Sequence, residues 1–338
     1  MKNKTTILYV GNNLFKKNNY STSYDILNSA LKSEGFNVFN TSSMSNKIFR
    51  LFAMCFDVFR HSKKIKYVLI DTYSTSNFYF ALLTSQICRI LKLKYLPILH
   101  GGNLPNRLKK NPLFSSLIFN NSFQNIAPSG YLKHEFELKG FKAQLIPNVI
   151  PIANYIFKER KKITPKLLYV RAFAKIYNPT MAIKVLKELK NIYPKAVLCM
   201  IGPDKEGMLY DVQKLIDRYQ LHDCVEITGV LSKDEWHKKS EEFDIFINTT
   251  NVDNTPVSII EAMALGLTVV STNVGGLPYL IDNDKDGFLV EKDQPFEMAQ
   301  KIDNIIRENK RYIAKNARIK VDNFDWVLVR NQWLSLLK

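Results

Sequence analysis

Cysteine, long apolar runs and, in one half, acidic residues are scarce in this chain of 338 residues. Its four cysteines, Cys55, Cys88, Cys199 and Cys224, lie far apart and form no Cys-x-x-Cys pair. That argues against a disulfide framework and a structural zinc site, and fits thiols packed in the interior of a protein in a reducing compartment. The longest apolar runs are six residues, as at Leu51–Phe56 and Phe78–Leu83. A membrane-crossing helix needs about 20, so none is expected. Met1-Lys2-Asn3-Lys4 is followed by only four consecutive apolar residues, Ile7 to Val10, too few for a secretory signal. The expected location is cytoplasmic. Acid is scarce in residues 1–160, which hold 22 Lys and Arg against 7 Asp and Glu; residues 161–338 hold 26 against 24. A cationic half implies an anionic partner: nucleic acid, anionic lipid or a phosphorylated substrate.

What is present is an ordinary globular composition, 46% hydrophobic, enough to exclude extended disorder. At about 150 residues per domain the length suits two domains. Short apolar runs alternate with longer amphipathic ones. Strands are predicted at 6–10, 37–39, 67–70, 95–99, 125–127 and 143–146, with helices at 23–32, 46–60, 77–91 and 130–138. Pro147, Pro151 and Pro165 then bracket a polar, basic stretch around Lys158–Lys162 that reads as a linker. The alternation restarts with strands at 166–170, 196–201, 224–228, 243–248 and 268–271. Helices are predicted from 179 and at 205–219, 233–241, 256–265, 295–320 and 324–337. The predicted fold is two doubly wound parallel α/β domains, residues 1–160 and 161–320, with a C-terminal helix in 321–338 packing back on the first domain. In such sheets ligands sit beyond the carboxyl ends of the strands, which places a site in a cleft between two facing domains.

The most informative stretch runs from Asn248 to Gly276, N-T-T-N-V-D-N-T-P-V-S-I-I-E-A-M-A-L-G-L-T-V-V-S-T-N-V-G-G. Thr255 reads as an N-cap, Pro256 as the first helical residue and Gly266 as the stop. A helix N-terminus after a strand is suited to phosphate. Asp253 precedes the helix and Glu261 lies on its second turn, where a carboxylate can accept from two vicinal hydroxyls. Arg171 and Lys175 follow the strand at 166–170 and together suit a diphosphate, one as a fork and one as a point charge. Asp282-Asn283-Asp284-Lys285-Asp286-Gly287 begins like a calcium loop, but Asp293 stands where a Glu belongs, and the segment reads as a turn.

The run from Asp253 to Gly276 resembles the signature of retaining family-4 glycosyltransferases of the GT-B fold, E-G-x-P-x-x-x-x-E-A-M-A-x-G-x-P-V-V-x-T-x-x-G-G. Asp253, Asn254 and Thr268 replace its first Glu, Gly and second Pro. Arg171 and Lys175 resemble the family's G-R-x-x-x-x-K-G, with Val170 for the Gly and a spacing one shorter. The resemblance implies two Rossmann-like domains facing a cleft and a nucleotide-diphosphate sugar as donor. It implies no catalytic metal and no other cofactor. Arg171, Lys175, Asp253, Glu261 and His100 become the catalytic candidates. Asn254, Thr255, Pro256, Val230, Leu231, Gly11 and Asn12 become donor-binding candidates, Val230 and Leu231 through backbone contacts to the base. His100 ends the strand at 95–99 and resembles the family's cleft histidine; Gly101, Gly102 and Asn103 after it are acceptor-side candidates. Pro147-Asn148-Val149 resembles the family's P-N-G-V. The implied reaction is sugar transfer to a surface glycan, expected to be lipid-linked, as in polysaccharide or lipopolysaccharide biosynthesis.

Two alternatives remain at this level: a nucleic-acid-binding protein using the basic half, and a GT-B enzyme that epimerises or hydrolyses nucleotide sugars. The first is not favoured, because the aromatics of the basic half fall at core periodicity. Phe49, Phe52, Phe56 and Phe59 recur within Asn46–Lys66, flanked by Lys47, Arg50, Arg60, Lys63, Lys64 and Lys66. The β/α alternation favours a core-facing helix here; the other reading is a helix at an anionic membrane surface, on the inner face of the cytoplasmic membrane. Arg107, Lys109 and Lys110, near Leu113, Phe114 and Phe119, form a second basic patch.

Overall fold

The computed structural model describes residues 5–11, 22–41, 44 and 46–338. The chain divides into two units, Met1–Ile150 with Phe324–Lys338, and Pro151–Asn323. The first is built on a six-stranded parallel sheet in the order β2-β1-β3-β4-β5-β6. Its strands are β1 (Thr6–Val10), β2 (Asn37–Asn40), β3 (Tyr67–Thr72), β4 (Lys94–Leu99), β5 (Asn125–Ala127) and β6 (Ala143–Leu145). The helices between them are α1 (Ser23–Ser33), α2 (Lys47–His61), α3 (Asn77–Ile90), α4 (Leu104–Lys110), α5 (Pro112–Phe119) and α6 (Gly130–Glu137).

The period of two along β1 sorts the core onto two faces. Ile7 and Tyr9 pack with Tyr24, Leu27 and Leu31 of α1. Leu8 and Val10 pack with Met54 and Val58 of α2 and with Phe80 and Ala81 of α3. Leu104 and Leu108 of α4, Ile118 and Phe119 of α5, and Leu132 and Phe136 of α6 extend that second layer. α1 starts at a reciprocal cap, Thr22 accepting from the Asp25 N–H while Asp25 accepts from Thr22. α4 and α5 were not among the predicted helices. Each begins with a proline in its first turn, Pro105 and Pro112, and Asn111 breaks the helical path between them.

α2 differs from the core-facing expectation. Its buried side is Arg50, Met54 and Val58. Phe49, Phe52, Phe56 and Phe59 are 64%, 69%, 62% and 66% exposed, with Ile48 beside them. The helix has two stripes that could meet the sheet, and the one that does carries Arg50, Met54 and Val58.

The second unit repeats the plan with the order β12-β11-β10-β7-β8-β9. Its strands are β7 (Lys166–Val170), β8 (Val197–Ile201), β9 (Val225–Gly229), β10 (Ile245–Asn248), β11 (Thr268–Thr272) and β12 (Phe288–Val290). Its helices are α7 (Pro179–Lys190), α8 (Met208–Tyr219), α9 (Lys233–Ser240), α10 (Val257–Ala264), α11 (Leu277–Leu280), α12 (Pro295–Glu308) and α13 (Tyr312–Asp322). The single helix predicted over 295–320 is two, because Asn309 takes a left-handed conformation, φ 47°, and ends α12. Its side chain then accepts from the Ile163 N–H.

The units meet in sequence at Ile150 and Pro151, earlier than the predicted break near residue 160. Arg160 holds the intervening stretch to the second unit. Its guanidinium donates to the carbonyls of Phe243, Leu265 and Ser240, just beyond or at the ends of α9 and α10, and it pairs with Asp244 at 3.5 Å. Burial pulls its pKa down to about 10, against the opposing pull of Asp244 and Glu241. The last helix, α14 (Trp326–Leu336), belongs to the first unit. Val329 and Trp333 join the α1 side of the core. Glu34 accepts from the Trp326 indole and lies 3.7 Å from Arg330.

All four cysteines are free; Cys88 and Cys199 are buried, while Cys55 and Cys224 are only half-buried. Among the described residues no helix is long and apolar enough to cross a membrane.

Candidate functional site

In the second unit the carboxyl ends of β7 and β10 present the chemistry. Arg171 follows β7 directly, and its guanidinium pairs with the Asp253 carboxylate from the loop after β10. The Tyr177 ring lies beneath the guanidinium, 4.3 Å from its centroid. Burial lowers the Arg171 pKa, an effect resisted by Tyr177 and Tyr169, but a guanidinium stays charged throughout the physiological range. Lys175 is exposed on the short turn Lys175–Tyr177, whose first N–H donates to Glu206. Among the described residues no carboxylate pairs with its ammonium.

Asp253 is fixed through its backbone as well as its side chain. Its carboxylate accepts from the Asn254 N–H at 2.8 Å, and its carbonyl accepts from the Gly276 N–H at 3.0 Å. A Cβ on Gly275 would collide with the Asp253 carbonyl, and one on Gly276 with the Asn254 carbonyl. The paired glycines of the sequence motif therefore let two loops lie in direct contact, and Gly275 also has φ +55°. Asn254 and Pro256 are buried, and Thr255 half-buried. α10 begins at Val257, so Pro256 is the cap with extended backbone, and the predicted Thr255 cap does not form. The φ of a proline suits both the cap and the first turn, which is why the sequence signal is off by one.

Glu261 is buried within α10, and its Oε1 accepts from both the Tyr155 hydroxyl and the Lys233 ammonium at 2.7 Å. Burial and the neighbouring carboxylate push the Tyr155 pKa far up, so it remains a donor. His237 packs on Tyr155 with ring centroids 4.7 Å apart. Burial lowers its pKa below the ordinary 6.5, opposed by Glu261 and assisted by Lys233. Neither Tyr155 nor His237 is signalled by the sequence. Lys233 is hidden inside the capping box that Ser232 and Glu235 form at the start of α9. Val230 is exposed and Leu231 half-buried after β9, where Gly229 turns at φ +73° and its carbonyl accepts from the Gly202 N–H.

In the first unit His100 ends β4, and its Nε2 lies 2.9 Å from Asp71 Oδ1, which also accepts from the Tyr9 hydroxyl at 3.1 Å. Tyr73 stacks on the His100 ring, 5.0 Å between centroids. Burial, reinforced by the Asp71 charge, pushes the Tyr9 and Tyr73 hydroxyls up and keeps them protonated. Gly11 lies against this group, since a Cβ there would come within 2.6 Å of Asp71 Oδ2. That oxygen is buried without a partner among the described residues. Asp71 is visible in the sequence only as an acid near the end of an apolar strand. Gly101 follows His100 at φ +88°, and Gly102 and Asn103 lead into α4. Pro147, Asn148 and Val149 line a cavity of about 20 Å³ with His100 and Tyr9. Asn12 lies outside the described residues.

The calcium-like loop is a turn tied to lysines. Asp286 accepts from the Asp282 N–H and pairs with Lys320 at 2.5 Å; Lys320 also reaches Asp282 at 3.1 Å, and Lys301 reaches Asp284 at 3.6 Å. The structure thus joins Arg171 to Asp253, Glu261 to Lys233 and Tyr155, and His100 to Asp71.

The chain is similar to known proteins in sequence and in fold. The putative colanic acid biosynthesis glycosyltransferase WcaL of Escherichia coli is 32% identical over 148 residues, 41% of this chain and 36% of that protein. The sulfoquinovosyl transferase SQD2 of Arabidopsis thaliana is 29% identical over 165 residues, 46% of this chain and 31% of that one. The matches thus span about a third of the length of these curated relatives. Anabaena HepE, solved with UDP and glucose, superposes with a TM-score of 0.78 at 16% identity over 98% of this chain and 99% of its own. Sucrose-phosphate synthase of Thermosynechococcus elongatus does so with a TM-score of 0.81 at 16% identity over 98% of each chain. These likenesses establish the fold, two parallel-sheet α/β units as in GT-B proteins. Residues 152–320 match the pattern of the family described as glycosyl transferases group 1, and with half of its length in that match the chain belongs to this family.

Proposed function

We propose that this chain is a retaining, metal-independent glycosyltransferase that moves a sugar from a nucleotide-diphosphate donor to a lipid-linked surface glycan. The observation that carries the reading is the pairing of Arg171 with Asp253, a cation and an acid at the carboxyl ends of two adjacent strands. Breaking the bond between the anomeric carbon and the diphosphate oxygen develops negative charge on the diphosphate and positive charge on the sugar ring. Arg171, Lys175 and the α10 N-terminus stabilise the first. With those cations on the leaving group, no divalent metal is required. Asp253 exchanges its hold on Arg171 for a donor-sugar hydroxyl, helped by Asn254, Thr255 and Pro256. Glu261, oriented by Tyr155 and Lys233, accepts from the ribose hydroxyls. Backbone groups at Val230 and Leu231 meet the base.

No side chain is assigned as a covalent nucleophile. The acceptor hydroxyl attacks the anomeric carbon from the face the diphosphate leaves, its proton passes to a departing phosphate oxygen, and configuration is retained. His100, oriented by Asp71, is assigned to the donor sugar. Gly11 and Asn12 serve the donor, and Gly101, Gly102 and Asn103 the acceptor. The donor assignment is supported by HepE, whose solved complexes hold UDP and glucose or UDP-glucose. The glycan assignment is supported by relatives named for colanic acid and amylovoran biosynthesis.

A thermal-shift screen against UDP-, GDP-, ADP- and CMP-sugars tests the reading, because a ligand that binds only the native state raises its stability by mass action. One of them is expected to raise the melting temperature without added metal. Silence from all four sinks the donor assignment.

A further inference from the structure

We propose that the outer surface of α2, continued by α3 and α5, docks this protein on an anionic phospholipid bilayer. α2 turns Phe49, Phe52, Phe56 and Phe59 to solvent on one side. On a helix of 3.6 residues per turn these four fall within a quarter of the circumference. The helix reserves its opposite side for the sheet, so the phenylalanines are not needed to hold it in place. The exposed apolar surface does not stop there. The connections β2 to β3, β3 to β4 and β4 to β5 all advance in one direction across the sheet, and right-handed crossovers therefore put α2, α3 and α5 side by side in one layer. α3 adds exposed Leu83 and Ile90, and α5 adds exposed Leu113 and Leu117. Tyr79 of α3 meets Phe114 of α5 with ring centroids 6.5 Å apart, which joins the α3 and α5 parts of the surface. A monomer rarely leaves such an area to water.

Charge identifies the occupant. Lys47, Arg60, Lys63 and Lys64 are exposed at the two ends of the phenylalanine stripe, and the one acid on α2, Asp57, is half-buried. An apolar centre with cations at its rim is the pattern of a helix lying in a phospholipid interface. Each lysine close to an anionic surface is worth about fivefold in partitioning. A second copy would bring the same cations together. Nucleic acid would use aromatic rings for stacking and would find nothing in Leu83, Ile90, Leu113 and Leu117, which suit hydrocarbon chains. The proposal does not depend on the donor assignment, since binding to lipid is read without any nucleotide sugar.

The test is co-sedimentation of the full chain with vesicles of phosphatidylcholine alone or mixed with phosphatidylglycerol. Binding is expected to the mixed vesicles and to weaken as salt rises. The double variant Phe52→Ser with Phe56→Ser should bind them at least about tenfold less, with an unchanged melting temperature because both rings are exposed. Lys63→Ser with Lys64→Ser should lose about tenfold or more on mixed vesicles only. The proposal is overturned if the wild type ignores the mixed vesicles or if the phenylalanine variant binds as well as the wild type. It is equally overturned if that variant melts lower, dissolves a dimer seen by sedimentation velocity, or abolishes binding to an oligonucleotide that displaces the vesicles.

Discussion

α2 and α10 look alike in sequence, each a mostly apolar helix following a parallel strand, yet the structure uses them in opposite ways. α10 is enclosed by β10, β11 and α13, and the charge it carries, Glu261, is buried and met by Lys233 and Tyr155. α2 buries a cation, Arg50, over the Phe80 ring and leaves four phenylalanines outside. The contrast extends to the units. The first, with its terminal helix, holds 22 Lys and Arg against 7 Asp and Glu, while the second holds 26 against 24. Balanced charge accompanies enclosed, paired side chains. Unbalanced charge accompanies apolar surface that no described residue of the unit covers. Hydrophobic periodicity shows that a helix has an apolar side; it does not show what that side meets.

The comparison can be broken at several points. The largest effect is expected where paired charge serves the reaction. Arg171→Ala, Lys175→Ala and Glu261→Ala should each lower transfer by about a hundred- to a thousandfold with circular dichroism unchanged, and Lys175→Ala, at an exposed side chain, with melting unchanged as well; full turnover in any of them removes that residue from the site. Next in size is Arg160→Ala, which takes the charge partner from Asp244 and one hydrogen bond from each of three carbonyls. It should cost the second unit about 3–5 kcal/mol in denaturant unfolding, and a loss under 1 kcal/mol would mean that water replaces the guanidinium. Gly276→Ala forces the 253–254 loop away from its partner and should cost about 1–3 kcal/mol, along with the donor-induced thermal shift. The smallest effect is on pH. His237 in the folded unit takes up its proton below the ordinary 6.5, so under that value the unfolded chain binds more protons. Its contribution is whole above 6.5 and lost as pH falls, with a slope of at most about 1.4 kcal/mol per pH unit. His237→Gln should flatten the melting temperature between neutral and mildly acidic pH; an unchanged slope would place the titration elsewhere.

The strands and most helices were legible because a doubly wound sheet buries its strands on both faces and writes them as short Val, Ile and Leu runs. β1, β5 and β7 fall where the runs lie. α4 and α5 escaped notice because seven- and eight-residue helices carry too few turns for a period. At the site, Arg171, Asp253 and Glu261 were legible because a fixed spacing places them at strand ends and on one helix. Tyr155, Lys233, His237 and Asp71 were not. Each acts through a neighbour distant in sequence, Tyr155 reaching Glu261 and Asp71 reaching His100, and local pattern holds no trace of such pairings. The Phe49–Phe59 stripe was visible, but its direction was fixed by Met54 and Val58 winning the sheet.

The first unit is assembled from both ends of the chain, with Trp333 packed among Ile7, Tyr9 and Leu27. During synthesis, residues 1–150 leave the ribosome first, but the part of their sheet that α14 covers beside α1 stays open until residues 151–323 have also been made. At roughly 5–20 residues per second that wait is on the order of ten to thirty seconds, ample time for the second unit to fold before the first can close. Completion of the basic unit is thus timed by translation of the family-matching one, and a ribosome stalled before Trp326 would display a first sheet that α1 alone covers on that side.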